Sequence, residues 1–435
     1  MRKKINKRAD IALRIASDVS ERAVTGRTFA PVWLMGLTAS VLGMFFGLLV
    51  VAIPEVLRTR QVSEATVASI TAVAVSPAFW SFLVSPVMDV RFTRRWYSVV
   101  TAVLAALMTT LALLSLSHLG LLELFLLAAN FFVTLYMGAL GGWLSSIVTE
   151  DARNRLSTWM NIGNAACGGL MVAIAFQALD HLPAMLAAPL LGAALLLPCA
   201  VFPWMPAPGV DRRLASESFR KFFGEVVSLA KRREVRIVVL LFVAPTATFA
   251  LVNIVGGLGP DFHASRHLVG VIGGIGVTLG GIAGSYSFRL IDRLLPLRFL
   301  YLTIGVFGAL FNLSLLLLPR TPVTFATAMI AENLFMLLSM TVAVAITFDT
   351  VGRHNPLAAT TFSVLFAAPN VPITYMLYVD AWGYNRSGIA GGFGADAGTS
   401  IDACVAMAAF LVWMSRRNPA EARAFALADT RTGDA

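Results

Sequence analysis

Charge is what this sequence has least of. Only 13% of its 435 residues are Asp, Glu, Lys or Arg, against 57% hydrophobic residues and a mean hydropathy of +0.77. A soluble globule carries roughly 25% charged residues, so too few polar side chains remain here to solvate a surface. Cysteine is scarce as well. Cys167, Cys199 and Cys404 all fall in apolar stretches without metal-ligand spacing, which speaks against a disulfide framework or a zinc site. The five histidines (His118, His181, His263, His267 and His354) all lie in polar loops, and His263 with His267 at i, i+4 makes a metal clip only with further ligands. No Ser-His pairing or metal cluster falls within the apolar stretches, so neither an enzyme nor a resident cofactor or metal is expected.

What is there is a succession of apolar runs of about 20 residues, the length that crosses a hydrocarbon core of ~30 Å. They predict spans at 31–53, 63–87, 97–116, 121–147, 157–179 and 184–203, then at 237–257, 268–288, 299–318, 322–348, 358–379 and 398–415. The expected fold class is an all-α membrane protein with twelve transmembrane helices in two pseudo-symmetric six-helix bundles. The expected division is an N-terminal segment 1–30, a bundle 31–203, a linker 204–236, a bundle 237–415 and a tail 416–435. Of 34 Lys and Arg, 29 lie in the N-terminal segment, the loops after even-numbered spans and the tail, leaving only Arg58, Arg60, Arg266, Arg320 and Arg386 on the other face. By the positive-inside rule both termini and the linker are cytoplasmic. Topology thereby accounts for the net charge of +10, and no nucleic-acid partner is expected. The polar segment before the first span is too long for a signal-peptide n-region, so no cleavable signal is expected. In the linker, Phe219, Phe222, Phe223, Val226 and Val227 recur at helical spacing, as in a helix lying under the bundle or on the membrane surface.

Sliding the sequence on itself by 203 residues superimposes Asp89 on Asp292, Arg95 on Arg298, Asn130 on Asn333 and Thr158 on Thr361, the mark of a duplicated half. Two rocking halves need charged contacts at one face and polar groups near the midplane. The gate candidates are Asp89, Arg91, Arg94 and Arg95 after the second span and their counterparts Asp292 and Arg293. Pairs of this kind near solvent contribute about 0 to 1 kcal/mol each.

Glu332 stands about ten residues into its span with no base in that helix. A charge at that depth costs roughly 2.5 to 3.5 kcal/mol, so this carboxyl either faces a polar cavity and carries a coupled proton or is a neutral acid bonded to a neighbouring helix. Ser157, Asn161, Asn164 and Gly168 form one polar, small-residue stripe that either lines a cavity or glues helices. Asn130, Asn253, Asn312, Asn333 and Asn370 are further cavity candidates at mid-membrane depth, and Asn370 lies between Pro369 and Pro372, where regular helical bonding fails. Gly276, Gly280 and Gly284 spell close helix packing rather than a nucleotide loop.

Three stretches resemble the major facilitator superfamily, and within it the AmpG-type muropeptide permeases, the acetyl-CoA transporters and certain siderophore permeases. They are Phe82 to Trp96 with Ser-Pro-Val-Met-Asp and Arg-Arg-Trp, Gly142 to Gly169 with Trp143-Leu144-Ser145 and Trp159-Met160-Asn161, and Ala358 through Asn370 to Asp402-Ala403. The turn after Asp89 is short and lacks the family's glycine before its arginines. The Pro-containing glycine motif of the superfamily's drug antiporters is absent from the fifth span. The resemblance implies a proton-driven importer of the bacterial inner membrane; the expected partners are a polar solute, protons and the bilayer, and a monomer is expected. Facilitated diffusion or efflux without proton coupling is the alternative reading, and a membrane-embedded enzyme or receptor the remote one.

Overall fold

A computed structural model of the chain describes residues 29–90, 92–207, 227, 229, 231–245, 256–353 and 355–417. The expectations for the N-terminal segment, for most of the linker and for the tail fall outside these residues.

Helices begin where a hydroxyl can take an orphan backbone N–H. Ser63 accepts from Thr66 N and Thr93 from Trp96 N, each at 3.2 Å. Ser265 accepts from Leu268 N at 3.2 Å, and Thr321 from Thr324 N at 3.3 Å with Pro322 at the first helical position. The first bundle comprises α1 (Val32–Thr59), α2 (Ala65–Leu83), α3 (Arg94–Leu114), α4 (Leu119–Ile147), α5 (Arg153–His181) and α6 (Ala184–Trp204). In the second, α7 is described over Arg233–Val243, followed by α8 (His267–Ile291), α9 (Leu297–Leu315) and α10 (Pro322–Val351). The last two helices, α11 (358–386) and α12 (389–417), fold back on each other at Ser387 and Gly388, where φ of Gly388 is +63°. Among the described residues there is no strand.

That hairpin corrects the expected spans 358–379 and 398–415. The long loop between them does not exist, because residues 380–386 and 389–397 continue the two helices. Asp380, Arg386 and Asp396 lower the local hydropathy and imitate a loop, although no proline interrupts the stretch from 373 to 418. The break foreseen around Asn370 is present, as α11 is interrupted at 368–369.

Within the halves α1 packs on α5, α3 on α4, α8 on α10 and α9 on α12, while α5 against α8 and α4 against α11 join the halves. On the outside Leu83, Met185, Leu290, Leu317 and Val323 are each at least 68% exposed, as expected of side chains whose solvent is lipid. Glycines set the close approaches. A Cβ at Gly280 or Gly284 runs into the carbonyl oxygen of Ile330 or Leu334 on α10, whereas one at Gly273 meets nothing within 4 Å. Gly284→Val is therefore expected to destabilise by about 1 to 3 kcal/mol, read as a lower unfolding midpoint of the detergent-solubilised protein, with Gly273→Ala close to wild type.

Candidate functional site

Between the halves lies a cavity of about 400 Å³ lined from α1, α2, α4, α5, α8, α10 and α11. Four of the amides singled out in the sequence reach it: Asn161, Asn164, Asn333 and Asn370. Met137, Met160, Met336 and Met340, with Phe46 and Phe366, supply much of the apolar wall, and no lining residue is charged. Local breaks in α1 and α11 shape this wall. The α1 helix is interrupted at Thr38 and Ala39, which frees the Thr38 carbonyl to accept from Tyr136 Oη at 2.7 Å. Nearby, Gly43 N donates to Asn164 Oδ1 at 3.1 Å. The α5 stripe thus serves both readings, since Asn161 and Asn164 line the cavity while Gly168 takes the backbone of Gly43 against it.

Other candidates sit elsewhere. Asn130 does not line the cavity but donates from Nδ2 to the carbonyls of Ala74 (2.8 Å) and Val75 (3.2 Å), tying α4 to α2. Asn312 is fully buried inside the second bundle, where its Nδ2 donates to Asp396 Oδ2 at 2.9 Å. Glu332 is fully buried too and is not among the cavity-lining residues, so of the two placements left open for it the one inside the bundle is found. Its neighbour Asn333 takes the cavity face of α10, and a step of one residue, about 100° round the helix, turns Glu332 into the bundle. Asn253 and Arg91 lie outside the described residues.

The gate candidates gather at one end of the molecule, and there the structure corrects the solvent-exposed pair expected from the sequence. Asp89 and Arg94 are 2% and 1% exposed. Arg94 donates to Asp89 Oδ1 from Nε at 3.0 Å and approaches it with Nη2 at 2.9 Å, while Nη2 also donates to the carbonyls of Asn355 (3.3 Å) and Pro356 (3.0 Å) in the other half. The Asp89 carboxylate accepts from Ala359 N (3.1 Å), Thr360 N (2.8 Å) and Thr360 Oγ1 (2.7 Å), which puts an anion on the N-terminal amides of α11. Unsatisfied amides and the helix dipole both favour negative charge there.

A weaker counterpart is formed by the repeat. Asp292, the equivalent of Asp89, accepts from Asn154 Nδ2 at 3.1 Å in the first turn of α5, the equivalent of α11. Each half thus sets an acid against the start of the same helix in the other. Arg153 adds an ion pair across the halves, its Nη1 donating to Asp349 Oδ1 at 3.1 Å. Arg95 lies over the Trp143 ring at 5.8 Å within the first half, and Arg293 is exposed.

Sequence reasoning missed the partner residues Asn154, Arg153 and Asp349, whose roles exist only once the halves meet. It also missed two buried acids, Asp380 and Asp396, 0% and 1% exposed on the hairpin of α11 and α12. The unbroken proline-free stretch was the signal that could have placed them in helices.

No family model matches the sequence, and no curated protein sequence matches it. Solved structures do resemble it in three dimensions. The human organic anion transporter MFSD10 superposes with a TM-score of 0.64 at 14% identity, covering 86% of this chain and 98% of that one. The transporter FucP in an outward conformation gives 0.64 at 14% identity, covering 87% and 96%. A bacterial homologue of the iron transporter ferroportin in an outward-facing state gives 0.61 at 12% identity, covering 87% and 98%. Two six-helix halves around a central cavity, joined at one end by acids set on opposing helix starts and matched over nearly the whole length of these structures, are the major facilitator fold.

Proposed function

We propose that this chain is a secondary active transporter that works by alternating access and drives the uptake of a polar solute with protons. The observation that carries this reading is the joint arrangement of a central amide-bearing cavity and a buried clasp that joins the halves at one end. In this reading the clasp lies at the cytoplasmic face, as the positive-inside count favours, the conformer is outward-facing, and the membrane is a bacterial inner membrane. Its likeness to structures described as outward supports this.

The solute class follows from the wall. Amides supply donors and acceptors, methionines and aromatics supply adaptable apolar surface, and the absence of charge disfavours a solute with an uncompensated ion. An uncharged or internally neutralised amphipathic solute fits, in line with the muropeptide and siderophore permeases that the sequence resembles. About 400 Å³ is at the small end of ligand pockets, which run from ~300 to ~1,000 Å³, so one sugar or peptide unit of such a solute occupies it in this state.

The test begins with a thermal-shift screen of cell-wall fragments, siderophores and nucleotides, where a ligand at a hundred times its Kd stabilises by about 2.7 kcal/mol. Uptake of the hit into proteoliposomes then follows. Accumulation that survives collapse of the proton gradient rules out proton coupling, and the absence of any protein-dependent flux rules out transport. Asn333→Ala is expected to weaken binding of that hit about tenfold with an unchanged unfolding midpoint, because Asn333 Nδ2 donates only within its own helix, to Met329 O at 3.0 Å.

A further inference from the structure

The second bundle holds a polar site separate from the solute cavity. Gly383 and Gly391 bring the backbones of α11 and α12 into contact, and the Asp380 carbonyl oxygen lies 3.6 Å from where a Cβ at Gly392 would stand, one turn from Asp396 on α12. Asn312 on α9 closes the group through its bond to Asp396 Oδ2. One turn along α12, Ser400 is also 0% exposed. Among the described residues, Asn312 Oδ1, Asp396 Oδ1, both oxygens of Asp380 and the Ser400 hydroxyl have no hydrogen-bond partner. The fully buried Asn312 amide is the decisive member, because it is bonded into the group by its nitrogen while its carbonyl oxygen still lacks a donor.

Acceptors therefore outnumber donors in this buried group. Two buried carboxylates on facing turns of one hairpin, with no base beside them, cannot both stay ionised without large cost. No base relieves them, since Lys and Arg are missing from α10, from α9 after Arg298, from α11 before Arg386 and from α12 before Arg416. The titratable groups on the packed elements are neutral or acidic at this depth. Glu332 on α10 is fully buried and lies one turn along from Met329, which packs with Leu315 and Phe393. Tyr301 on α9 and Cys404 on α12 lie toward the clasp end. At the opposite end Tyr384 Oη donates to Asp261 Oδ2 at 3.1 Å, with Arg320 nearby, and Arg386 lies over Trp382.

We infer that Asp380 and Asp396 hold one exchangeable proton between them, making the α11–α12 hairpin a proton site distinct from the solute cavity. On binding, an O–H bond of a hydronium ion breaks, leaving water, as an O–H bond forms on one carboxyl, supplying the donor that the group lacks. On release, that bond breaks, a water molecule takes the proton as hydronium, and two buried carboxylates are left to repel. The site has a direct line to the cavity, because the segment of α11 beyond the break at 368–369 carries Asn370 in the cavity wall and Asp380 at the acid pair. That coupling rests on the transport reading, whereas the existence of the proton site does not.

The test needs no solute: infrared difference spectroscopy of the full chain in nanodiscs, titrated across the neutral range in water and in deuterium oxide. The expected result is a protonated-carboxyl stretch that titrates, shifts in deuterium oxide, disappears in Asp380→Asn and in Asp396→Asn, and persists in Glu332→Gln. Selective ¹³C-labelling of aspartate in the unsubstituted protein is expected to shift the same band, which keeps the test decisive if an Asn variant does not fold. A band that survives both Asn substitutions, that vanishes in Glu332→Gln alone, that fails to titrate, or that sodium ions abolish at constant pH overturns the inference. Failure of every transport assay leaves this spectrum unaffected and sinks only the transport reading.

Discussion

Replacing Asp89 with alanine is expected to release the clasp and shift the protein toward the state open at that end. The substitution removes the anion on the first turn of α11 and leaves the Arg94 guanidinium, itself 1% exposed, without the carboxylate that it meets at 2.9 to 3.0 Å. Breaking a buried ion pair by deleting one partner costs about 3 to 5 kcal/mol. That is comparable to the few kcal/mol separating two conformers of one protein. The measurement is the alkylation rate of a single cysteine placed at Thr347 or Ser363, both in the cavity wall, in an otherwise cysteine-free background and with reagent supplied from the clasp side. A rise of more than tenfold is expected in Asp89→Ala, which corresponds to at least about 1.4 kcal/mol. Asp292→Ala serves as an internal comparison. It removes one hydrogen bond at a half-buried site, so its effect should stay near 1 kcal/mol. Equal rates in Asp89→Ala and wild type would mean that the clasp does not hold the conformer.

Glu332→Gln is expected to abolish gradient-driven accumulation while leaving solute exchange across the membrane intact. Glutamine keeps the size and hydrogen-bonding reach of the side chain but cannot gain or lose a proton. Glu332 is completely buried on α10 beside Asn333 of the cavity wall, so its protonation is placed to act on the wall without touching the solute. One coupled charge in a field of 100 mV corresponds to about 2.3 kcal/mol, or roughly a fiftyfold steady-state accumulation. The variant should fall to about unity in energised proteoliposomes. Retained accumulation would return Glu332 to its other reading, a neutral acid bonded inside the bundle, and would leave facilitated diffusion or the Asp380 and Asp396 pair to explain any flux.

Much of the architecture was legible because hydropathy and repeat register are local properties of a chain. A run of about 20 apolar residues has few options other than crossing a bilayer. The shift of 203 residues placed Asp89 and Asp292 at equivalent helix ends before either had a partner. The same local logic failed at Asp380 and Asp396, where acids inside helices were read as a loop, since hydropathy counts a buried carboxyl and a solvated one alike. Amides were equally ambiguous. Asn130 and Asn161 both sit at mid-membrane depth, yet one binds the carbonyls of Ala74 and Val75 and the other lines the cavity.

The sequence by itself determined the solvent of this protein, the succession of its helices, its two-fold internal kinship and the residue types able to bind a solute or hold a proton. Only the tertiary structure decided which face each of those residues presents. It turned Asn333 to the cavity and Glu332 away from it, buried the Asp89–Arg94 pair against the start of α11, and brought Asp380, Asp396 and Asn312 together. The reason is physical. A helix fixes the angle between neighbouring side chains, but what lies at that angle is set by other helices packed from far along the chain.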